Sequence, residues 1–211
     1  MTISSPVPNI EIILLAAGLS KRMGERNKLL MPFRGQPLVR YVAKQLIKSK
    51  PGPITVITGH DENLIEQALD DLNLNFKFNP NYASGQMSSV QCGVQKIKKD
   101  TQGIMIALAD MPDLTSGDYH EIIEGFVHKN CDKIVVPFFS GKRGNPIIIP
   151  KRLTDEIING SLQAGCRRLI ENRPQDVHRL DVTSASHTTD IDTPNDYSYW
   201  LKQFVVLPAC C

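Results

Sequence analysis

The sequence has 211 residues, of which 41% are hydrophobic and 22% are charged, and its formal net charge is +2. These values suit one globular α/β domain with a sizeable core, and the small net charge argues against a strongly electrostatic nucleic-acid-binding protein. No apolar run is long enough to span a bilayer, and the first residues lack the apolar core of a signal peptide. We therefore expect a cytoplasmic protein without a membrane partner.

The cysteines do not follow a disulfide or metal-site pattern. There are five of them, an odd number, and none are in C-x-x-C spacing: Cys92, Cys131, Cys166, Cys210 and Cys211. Neither a disulfide framework nor a zinc site is predicted, and we expect reduced thiols. The five histidines are scattered, so they predict no metal site either.

The first predicted strand is Ile10–Leu15, where a nearly continuous apolar run is typical of a central strand buried on both faces. The run ends in an Ala-Ala-Gly turn at 16–18, where small residues permit a tight turn and the close approach of a ligand. Residues 18–28 are mostly hydrogen-bond donors and cations, with Glu25 as the one acid. A basic loop after a strand can present N–H groups and cations to phosphates.

Positive charge is concentrated around this loop. Between Glu11 and Asp61 the chain has nine Lys and Arg but a single acid, which predicts a local field for a small polyanionic ligand. Gly24 does not continue into the Gly-Lys-Ser/Thr of a Walker loop, and Gly18 does not begin the G-x-G-x-x-G of a dinucleotide site. The loop therefore indicates a nucleoside triphosphate rather than NAD or a P-loop ATPase site.

Beyond the loop, strand and helix patterns alternate along the chain. Apolar spacing predicts helices over 38–47, 62–72, 87–97, 116–129, 152–158, 167–171 and 193–204. Short apolar runs predict strands over 54–58, 76–78, 103–109, 133–137, 147–149 and 177–181, the last of them at a sheet edge. This alternation predicts a mainly parallel sheet covered by helices on both faces, with ligands at the carboxyl ends of the strands. We expect one domain over 1–211, in which 138–165 form a subregion that caps the site.

An aspartate ends the predicted strand over 103–109. Pro112 follows Asp110 by two residues and stops the strand. Asp110 could instead cap the next helix, but the residues around Ser116 suit that role better. Mg²⁺ is usually bound by one or two carboxylates together with substrate phosphates, so a strand-end aspartate beside the basic loop suits a metal–nucleotide site.

A second acidic segment precedes the last predicted helix. If the segment is extended, Asp190 and Asp192 point to the same side of it. Asp192 could instead cap the helix, a role for which Thr193 is another candidate, with Pro194 in the first turn.

Two further motifs combine small and polar residues. Ser88 and Ser89 lie at the start of the predicted helix over 87–97, where hydroxyls and free N–H groups can hold a base edge or a phosphate. An ordinary N-cap would account for only one of these serines. Gly-Asn-Pro at 144–146 suggests a fixed turn, in which Asn145 could hydrogen-bond a second substrate.

These motifs, in this order, resemble those of the nucleotidyltransferases that activate sugars, isoprenoid precursors and molybdopterin. They are LAAGxSxRMG…KLLxP from Leu15, ALADMP up to Pro112, GNPI from Gly144 and DIDTP up to Pro194. The match is to the molybdenum cofactor cytidylyltransferase group, a MobA-like NTP transferase family of the nucleotide-diphospho-sugar transferase superfamily. Ala17 favours that group, because the guanylyl-transferring branch tends to LAGG at this place.

The chain departs from the family pattern at one place. Where the family often has G-D-x-G-A-R, residues 162–167 read LQAGCR, so the acid is missing and Cys166 replaces an alanine. The departure concerns recognition of the acceptor. The resemblance implies a Rossmann-like three-layer α/β/α fold and a single NTP-transferase domain over 1–211, with 138–165 on the acceptor side.

The resemblance also implies a role for each matching residue. Catalysis is implied for Lys28, Arg22 and Asp110. Nucleotide binding is implied for Leu15, Ala16, Ala17, Gly18, Ser20, Arg22, Gly24, Lys28, Ser88 and Ser89. Acceptor binding is implied for Gly144, Asn145 and Pro146, and a metal ion, Mg²⁺ or Mn²⁺, is expected on Asp110 and Asp192.

The implied reaction is transfer of CMP from CTP to molybdopterin or molybdenum cofactor with release of pyrophosphate. Transfer from GTP, or transfer to a sugar or alcohol phosphate, remains open. So does a different class of protein, a non-catalytic one that binds molybdenum cofactor and delivers it. The expected partners are a nucleoside triphosphate, a molybdopterin-type acceptor and a molybdenum hydroxylase or its chaperone, with no nucleic acid.

Overall fold

The structure is a computed structural model that describes residues 8–24, 26–49, 52–161 and 165–204. Its described strands are β1 (Ile10–Leu15), β2 (Pro32–Phe33), β3 (Gln36–Pro37), β4 (Ile54–Thr58), β5 (Asn75–Phe78), β6 (Gly103–Leu108), β7 (Ile134–Phe139), β8 (Lys142–Arg143), β9 (Ile147–Pro150) and β10 (Val177–Asp181). Its described α-helices are α1 (Leu38–Lys48), α2 (Glu62–Gln67), α3 (Gln86–Val94), α4 (Ser116–His128), α5 (Thr154–Ile158), α6 (Gly165–Asn172) and α7 (Pro194–Phe204).

Eight of the described strands form one mixed sheet, in the order β10-β7-β9-β6-β1-β4-β5 with β8 paired to β7. β1 pairs in parallel with β4 and β6, β4 with β5, and β7 with β10. β9 runs antiparallel to both of its neighbours, β6 and β7. The prediction of a mainly parallel sheet with the strand over 177–181 at an edge is confirmed, whereas the direction of β9 was not predicted.

Helices cover both faces of the sheet because β1 is apolar on both sides. Ile12 and Leu14 belong to a buried cluster with residues of α1, α2, α4 and α7. Ile13 and Leu15 belong to a second cluster with residues of α3, α5 and α6. Successive side chains of a strand point to opposite faces, which explains this division. The predicted three-layer α/β/α fold is confirmed.

The strand order places a crevice at the carboxyl ends of β1 and β6. From β1 the chain moves through β4 to β5, and then returns through α3 to β6 on the other side of β1. Where the strand order reverses in this way, the loops after two neighbouring strands diverge and leave room for a ligand. The Ala-Ala-Gly turn follows β1 and Asp110 follows β6, so both lie at this crevice.

Two helices are shorter than their apolar patterns predict. α2 stops short of residue 72, where Arg40 forms hydrogen bonds of 2.5 and 2.7 Å to the carboxylate of Asp71. α3 stops short of residue 97, and the chain that follows turns so that Glu11 accepts bonds from a backbone N–H and a threonine hydroxyl. In both places contacts with distant residues override local helical propensity.

Residues 138–165 include a strand of the central sheet. β7 and β8 form a hairpin that leads into β9, which lies between β6 and β7. The segment over 152–158, predicted as one helix, is a 3-10 turn at Lys151–Leu153 followed by α5. No helix in the described part of the chain combines the length and apolar character that a bilayer span requires.

Several residues discussed in the sequence analysis are not among those that the structure describes. Glu25, residues 162–164, and Cys210 and Cys211 lie outside the described residues. The described cysteines are free thiols; they are Cys92, Cys131 and Cys166.

Candidate active site

A cavity of about 480 Å³ opens at the carboxyl ends of β1 and β6. Nine residues predicted as site residues line it: Leu15, Ala17, Gly18, Ser20, Arg22, Lys28, Ser89, Asp110 and Asp192. The rest of its wall comes from residues that were not predicted as site residues: Leu19, Lys21, Leu29, Tyr82, Ala83, Gly85, Gln86 and Leu108. The structure therefore brings the basic loop and both acidic segments to one cavity.

Three predicted nucleotide-binding residues do not line the cavity. Ala16 is fully buried in the core. Gly24, with φ of 73°, ends the 3-10 turn of the basic loop, in a conformation that favours glycine. The hydroxyl oxygen of Ser88 lies 2.8 Å from the carbonyl oxygens of both Asn81 and Gly85. Core packing, a backbone turn and local hydrogen bonds therefore explain these three residues without a contact to a nucleotide.

Asn27, which the sequence analysis missed, holds the basic loop in place. Its Oδ1 accepts a hydrogen bond of 3.0 Å from the N–H of Leu29, and its Nδ2 donates one of 3.2 Å to Asp61. The hydroxyl of Ser20 accepts a bond of 3.1 Å from the N–H of Lys28. Asparagine directly before a short helical turn is a recognisable N-cap signal. These bonds position the Lys28 side chain.

Lys28 lies between the two acidic segments. Its ammonium is 2.6 Å from Asp110 Oδ2, 2.9 Å from Asp192 Oδ1 and 2.7 Å from the carbonyl oxygen of Ile191. Arg22 contacts the other oxygen of the Asp192 carboxylate at 2.5 Å. The Lys28 side chain is 12% exposed and that of Arg22 is 70% exposed, so Lys28 forms the more desolvated of these ion pairs.

Opposite charges in this cluster stabilise the ionised forms of Lys28 and Asp192, whereas burial and like charges oppose ionisation of Asp190. Burial acts to lower the pKa of Lys28, but Asp110 and Asp192 outweigh burial and raise it. Burial acts to raise the pKa of Asp192, but Lys28 and Arg22 outweigh it and lower the pKa of that carboxyl. At Asp190, burial and then the charges of Asp110 and Asp192 raise the pKa. The carboxylates of Asp110 and Asp192 are therefore paired with cations, whereas that of Asp190 lies near them and has no ion-pair partner among the described residues.

The acidic residues fit the requirements of a hard divalent cation. Asp110, Asp190 and Asp192 each offer a carboxylate oxygen, and these oxygens lie within 4.8 Å of one another. Oδ1 of Asp110 is buried and has no hydrogen-bond partner in the part of the chain that the structure describes. Mg²⁺ and Mn²⁺ prefer oxygen ligands of this kind, so the residues present suit either ion.

The second acidic segment is held by the residue between its aspartates. Ile191 is fully buried, and its N–H donates a bond of 2.9 Å to the carbonyl oxygen of Asp110. The helix that follows begins with reciprocal bonds between Thr193 and Asp196, of 3.2 and 2.7 Å. Asp192 is therefore not the cap of α7, and its carboxylate faces the cavity.

The helix after Asp110 is likewise capped by other residues. Thr115 Oγ1 accepts a bond of 3.3 Å from the N–H of Asp118, and Asp118 Oδ2 accepts one of 2.8 Å from the N–H of Thr115. This capping box satisfies the start of α4. The expectation that the residues around Ser116 cap this helix is confirmed, and the Asp110 side chain takes no part in the cap.

A second cavity, of about 470 Å³, adjoins the first. The two share the residues Gly85, Gln86 and Leu108. Among the predicted acceptor residues, Gly144 and Asn145 line the second cavity, whereas Pro146 follows them through a cis peptide bond and does not. Five further polar residues at its wall were not predicted as site residues: Ser84, Gln86, Arg143, Cys166 and Arg167.

A buried histidine fixes the turn at the second cavity. The N–H of Asn145 donates a bond of 2.8 Å to the carbonyl oxygen of His187, and His187 Nδ1 lies 3.0 Å from the carbonyl oxygen of Asn145. A Cβ on Gly144 would lie 2.3 Å from the His187 carbonyl oxygen, so only glycine fits there. Burial opposes ionisation of Asp118, but the close approach of His187, whose Nε2 lies 3.6 Å from Asp118 Oδ1, and hydrogen bonds with Thr115 outweigh it and lower the pKa of Asp118 to about 2. The turn is therefore tied to the start of α4.

The profile of the MobA-like NTP transferase domain matches residues 12–179, which is most of the chain. The chain belongs to this family. The matched range contains the basic loop, Asp110 and the turn at 144–146, and the chain is a nucleotidyltransferase of the MobA-like type.

Two relatives of this MobA-like transferase are similar to it over most of their length, but their names differ in enzyme class. The molybdenum cofactor cytidylyltransferase of Escherichia coli (strain K12) is 28% identical over 89% of this chain and 93% of its own length. The nicotine blue oxidoreductase of Paenarthrobacter nicotinovorans is 25% identical over 89% of this chain and 94% of its own length. These two names come from different enzyme classes, so the similarity alone does not decide the substrates.

Solved structures agree on the MobA-like fold. Rv0371c from Mycobacterium tuberculosis H37Rv superposes with a TM-score of 0.82 at 20% identity, covering 94% of this chain and all of that one. A complex of the same mycobacterial protein with manganese gives a TM-score of 0.76 at 18% identity, covering 92% and 98%. At these identities the agreement concerns the fold.

Asp113, three residues after Asp110, makes the stability of this transferase depend on pH. Burial raises its pKa to about 6, although the charge of Arg34 acts against this. An unfolded chain binds this proton only below about pH 4, so the carboxyl destabilises the folded state increasingly as the pH rises from about 4 to 6. We expect Asp113→Asn to raise the free energy of unfolding by about 1–2 kcal/mol at pH 8 and by little at pH 4. Urea unfolding at both pH values measures this; an equal effect at both would exclude a shifted carboxyl.

Proposed function

We propose that this chain transfers CMP from CTP to the terminal phosphate of a molybdopterin-type acceptor and releases pyrophosphate. The observation that carries the proposal is the contact of Lys28 with Asp110 and Asp192 in a cavity that adjoins a second one. The first cavity would hold the triphosphate and the second the acceptor. The similarity to a cytidylyltransferase supports this choice of donor and acceptor. Residues 1–211 would act as one domain, with 138–165 on the acceptor side.

In this reaction an oxygen of the acceptor phosphate attacks the α-phosphorus of CTP, and the bond between the α- and β-phosphates breaks. The acceptor phosphate is already ionised at neutral pH, so no strong general base is needed. Pyrophosphate leaves with the electron pair of the broken bond. Catalysis therefore depends on positioning and on neutralisation of negative charge.

Several side chains of the chain are placed for that work. Asp110 and Asp192 would hold Mg²⁺ or Mn²⁺, which when bound supplies positive charge at the α-phosphate. Lys28 and Arg22 would neutralise the transferring phosphoryl group and the leaving pyrophosphate. Both cations already lie at the cavity wall, at 2.9 and 2.5 Å from Asp192. The N–H groups at Gly18 and at the start of α3 add hydrogen-bond donors for the triphosphate.

The choice of base gives a direct test of the cytidylyl assignment. Ala17 and the LAAG turn favour CTP over GTP, and Ala17 lines the first cavity beside Ser89 and Tyr82. With equal concentrations of the two nucleotides and a limiting acceptor, we expect the cytidylyl product to predominate by roughly tenfold or more, the range that one well-formed polar contact provides. Mass spectrometry of the products measures the ratio. Preference for GTP would overturn the cytidylyl assignment and leave the fold unaffected.

The acceptor is tested by pyrophosphate release from CTP and Mg²⁺ in the presence of molybdopterin. Release that depends on molybdopterin supports the proposal, and release with only a sugar or alcohol phosphate would contradict it. A protein that binds molybdenum cofactor but releases no pyrophosphate would instead be a carrier. In either case the proposed recipient of the cofactor is a molybdenum hydroxylase or its chaperone, which binding to the purified hydroxylase would test.

A further inference from the structure

The second cavity is lined by a cation that has no ion-pair partner among the described residues. Arg143 lines this cavity at the end of β8 and is half-buried. Across the described residues its guanidinium forms no hydrogen bond or ion pair, and no carboxylate is among the residues that line the cavity. Burial lowers the pKa of the Arg143 guanidinium and the positive charge of Arg167 lowers it further, and together they outweigh the opposing effects of Cys166 and Glu171. A charge in this position is costly unless a ligand neutralises it.

The rest of the cavity wall suggests what such a ligand looks like. Arg167 also lines the cavity, but it is exposed and its Nε lies 2.7 Å from Glu171. Aliphatic and thioether side chains also line the cavity, among them Met87, Val90 and Ile147. Two guanidinium groups beside an apolar wall favour a ligand with an apolar or ring-shaped body and an anionic edge, because Arg can bind an anion through two parallel N–H groups.

Arg143 lines a different cavity from the residues proposed to act on the attacking phosphate. Lys28 and Asp110 line only the first cavity and Arg143 lines only the second, while Gly85 and Leu108 are common to both. An acceptor whose phosphate reaches Asp110 would therefore meet Arg143 with another part of its structure. That part needs negative charge of its own.

We infer that the second cavity selects an acceptor that carries an anionic group remote from its attacking phosphate, and that Arg143 binds this group. The inference rests on the proposed function insofar as the ligand of this cavity is the acceptor. It disfavours a simple sugar or alcohol phosphate, whose remaining groups are neutral hydroxyls. A neutral hydroxyl can accept a hydrogen bond from Arg143 but cannot neutralise its charge.

Cys166 provides a reporter inside this cavity. Its thiol lines the cavity, and burial raises its pKa to about 11. The experiment compares how fast two methanethiosulfonate reagents modify this thiol, one with a sulfonate group and one with a trimethylammonium group. Each rate is divided by the rate of the same reagent with 2-mercaptoethanol, and mass spectrometry of the peptide that contains Cys166 makes the readout specific. A change in the thiol pKa affects both reagents alike and cancels in the ratio.

In the unmodified protein we expect the anionic reagent to be favoured over the cationic one by about tenfold at low ionic strength, and by less at 0.5 M salt. Arg143→Met should reduce the ratio several-fold, and Arg143→Lys, which keeps the charge, should retain most of it. Lys142→Met is the matched control. Lys142 is the adjacent residue of β8, is exposed and does not line the cavity, so its replacement should leave the ratio unchanged.

A second measurement separates this inference from the proposed function. Binding of CTP in the presence of Mn²⁺, followed by equilibrium dialysis, tests the first cavity and should be the same in Arg143→Met and in the unmodified protein. A charge ratio near one, or a ratio that Arg143→Met does not change, would overturn the anion site even if CTP binds. A ratio that depends on Arg143 in a protein that does not bind CTP would retain the anion site and overturn the proposed function.

With molybdopterin as acceptor, Arg143→Met should raise KM for the acceptor about tenfold or more and leave KM for CTP unchanged. An unchanged acceptor KM would also overturn the inference.

Discussion

Replacing Lys28 by methionine is expected to lower the turnover of nucleotidyl transfer by roughly 30- to 1000-fold, which corresponds to about 2–4 kcal/mol of transition-state stabilisation. The ammonium lies 2.6 Å from Asp110 and 2.9 Å from Asp192, and the side chain is 12% exposed. Methionine keeps the unbranched apolar stem of the side chain but removes the charged amino group. Pyrophosphate release from CTP and molybdopterin at saturating Mg²⁺ is the measurement.

Lys28→Arg is expected to lose most of the activity as well. Three oxygens surround the ammonium, one from each of Asp110, Ile191 and Asp192, and a planar guanidinium is too wide to replace a compact ammonium in such a position. As a plain surface lysine, Lys28 would tolerate either change with an effect of a few tenths of a kcal/mol. Full activity in either variant would remove Lys28 from the site.

Arg26→Met is the control for loss of a positive charge from the same loop. Arg26 is exposed and does not line the cavity, so this variant should keep nearly full activity. A second control shows whether the site is intact when Lys28 is absent. Without the ammonium, Asp110 and Asp192 lose the one cation that contacts both of them within the described residues, so Mn²⁺ alone should raise the Tm of Lys28→Met more than that of the unmodified protein. An inactive variant whose Tm does not respond to Mn²⁺ would indicate a disrupted site rather than a missing charge.

The parts of the fold that could be predicted from the sequence are those with a local cause. The apolar run at Ile10–Leu15 is long enough to require burial on both faces, and it forms the central strand. The basic loop could be recognised because it follows a glycine-containing turn at the end of a strand. The aspartates at 110 and 192 could be recognised because each is followed two residues later by a proline, which ends a strand or begins a helix. The structure brings them to one cavity, since the carboxyl ends of β1 and β6 are neighbours. Their catalytic roles stay predictions.

What the sequence did not reveal depends on contacts between distant residues. Arg143 lies in a two-residue strand, and its position at the second cavity follows from the hairpin of β7 and β8. Tyr82 lies in a short turn between β5 and α3, and no periodic pattern points it toward the first cavity. The direction of β9 is set by the hairpin before it, because a short connection favours antiparallel pairing. Asn27 was the exception, since its N-cap position could have been recognised.

Asp110→Asn is expected to lower turnover by roughly a hundredfold or more, the effect of losing one preorganised electrostatic group. Oδ2 of Asp110 accepts the 2.6 Å bond from Lys28, while Oδ1 is buried without a partner within the described residues. Asparagine has the same shape, but it removes the negative charge that holds Lys28 and would bind the divalent cation. Mn²⁺ should therefore bind more weakly to this variant, which electron paramagnetic resonance of free Mn²⁺ measures without any turnover.

Asp113→Asn is the matched control for Asp110→Asn, because it makes the same chemical change three residues along the chain. Asp113 does not line the first cavity and its pKa is raised to about 6 by burial, so its replacement should keep activity near that of the unmodified protein and increase stability at pH 8. Asp110→Asn should instead change Tm little, because the variant loses the ion pair with Lys28 but also removes a buried charge whose Oδ1 has no partner among the described residues. Near-full activity of Asp110→Asn with Mg²⁺ would show that Asp110 is not a metal ligand, and the proposed site would then have to rely on Asp190 and Asp192.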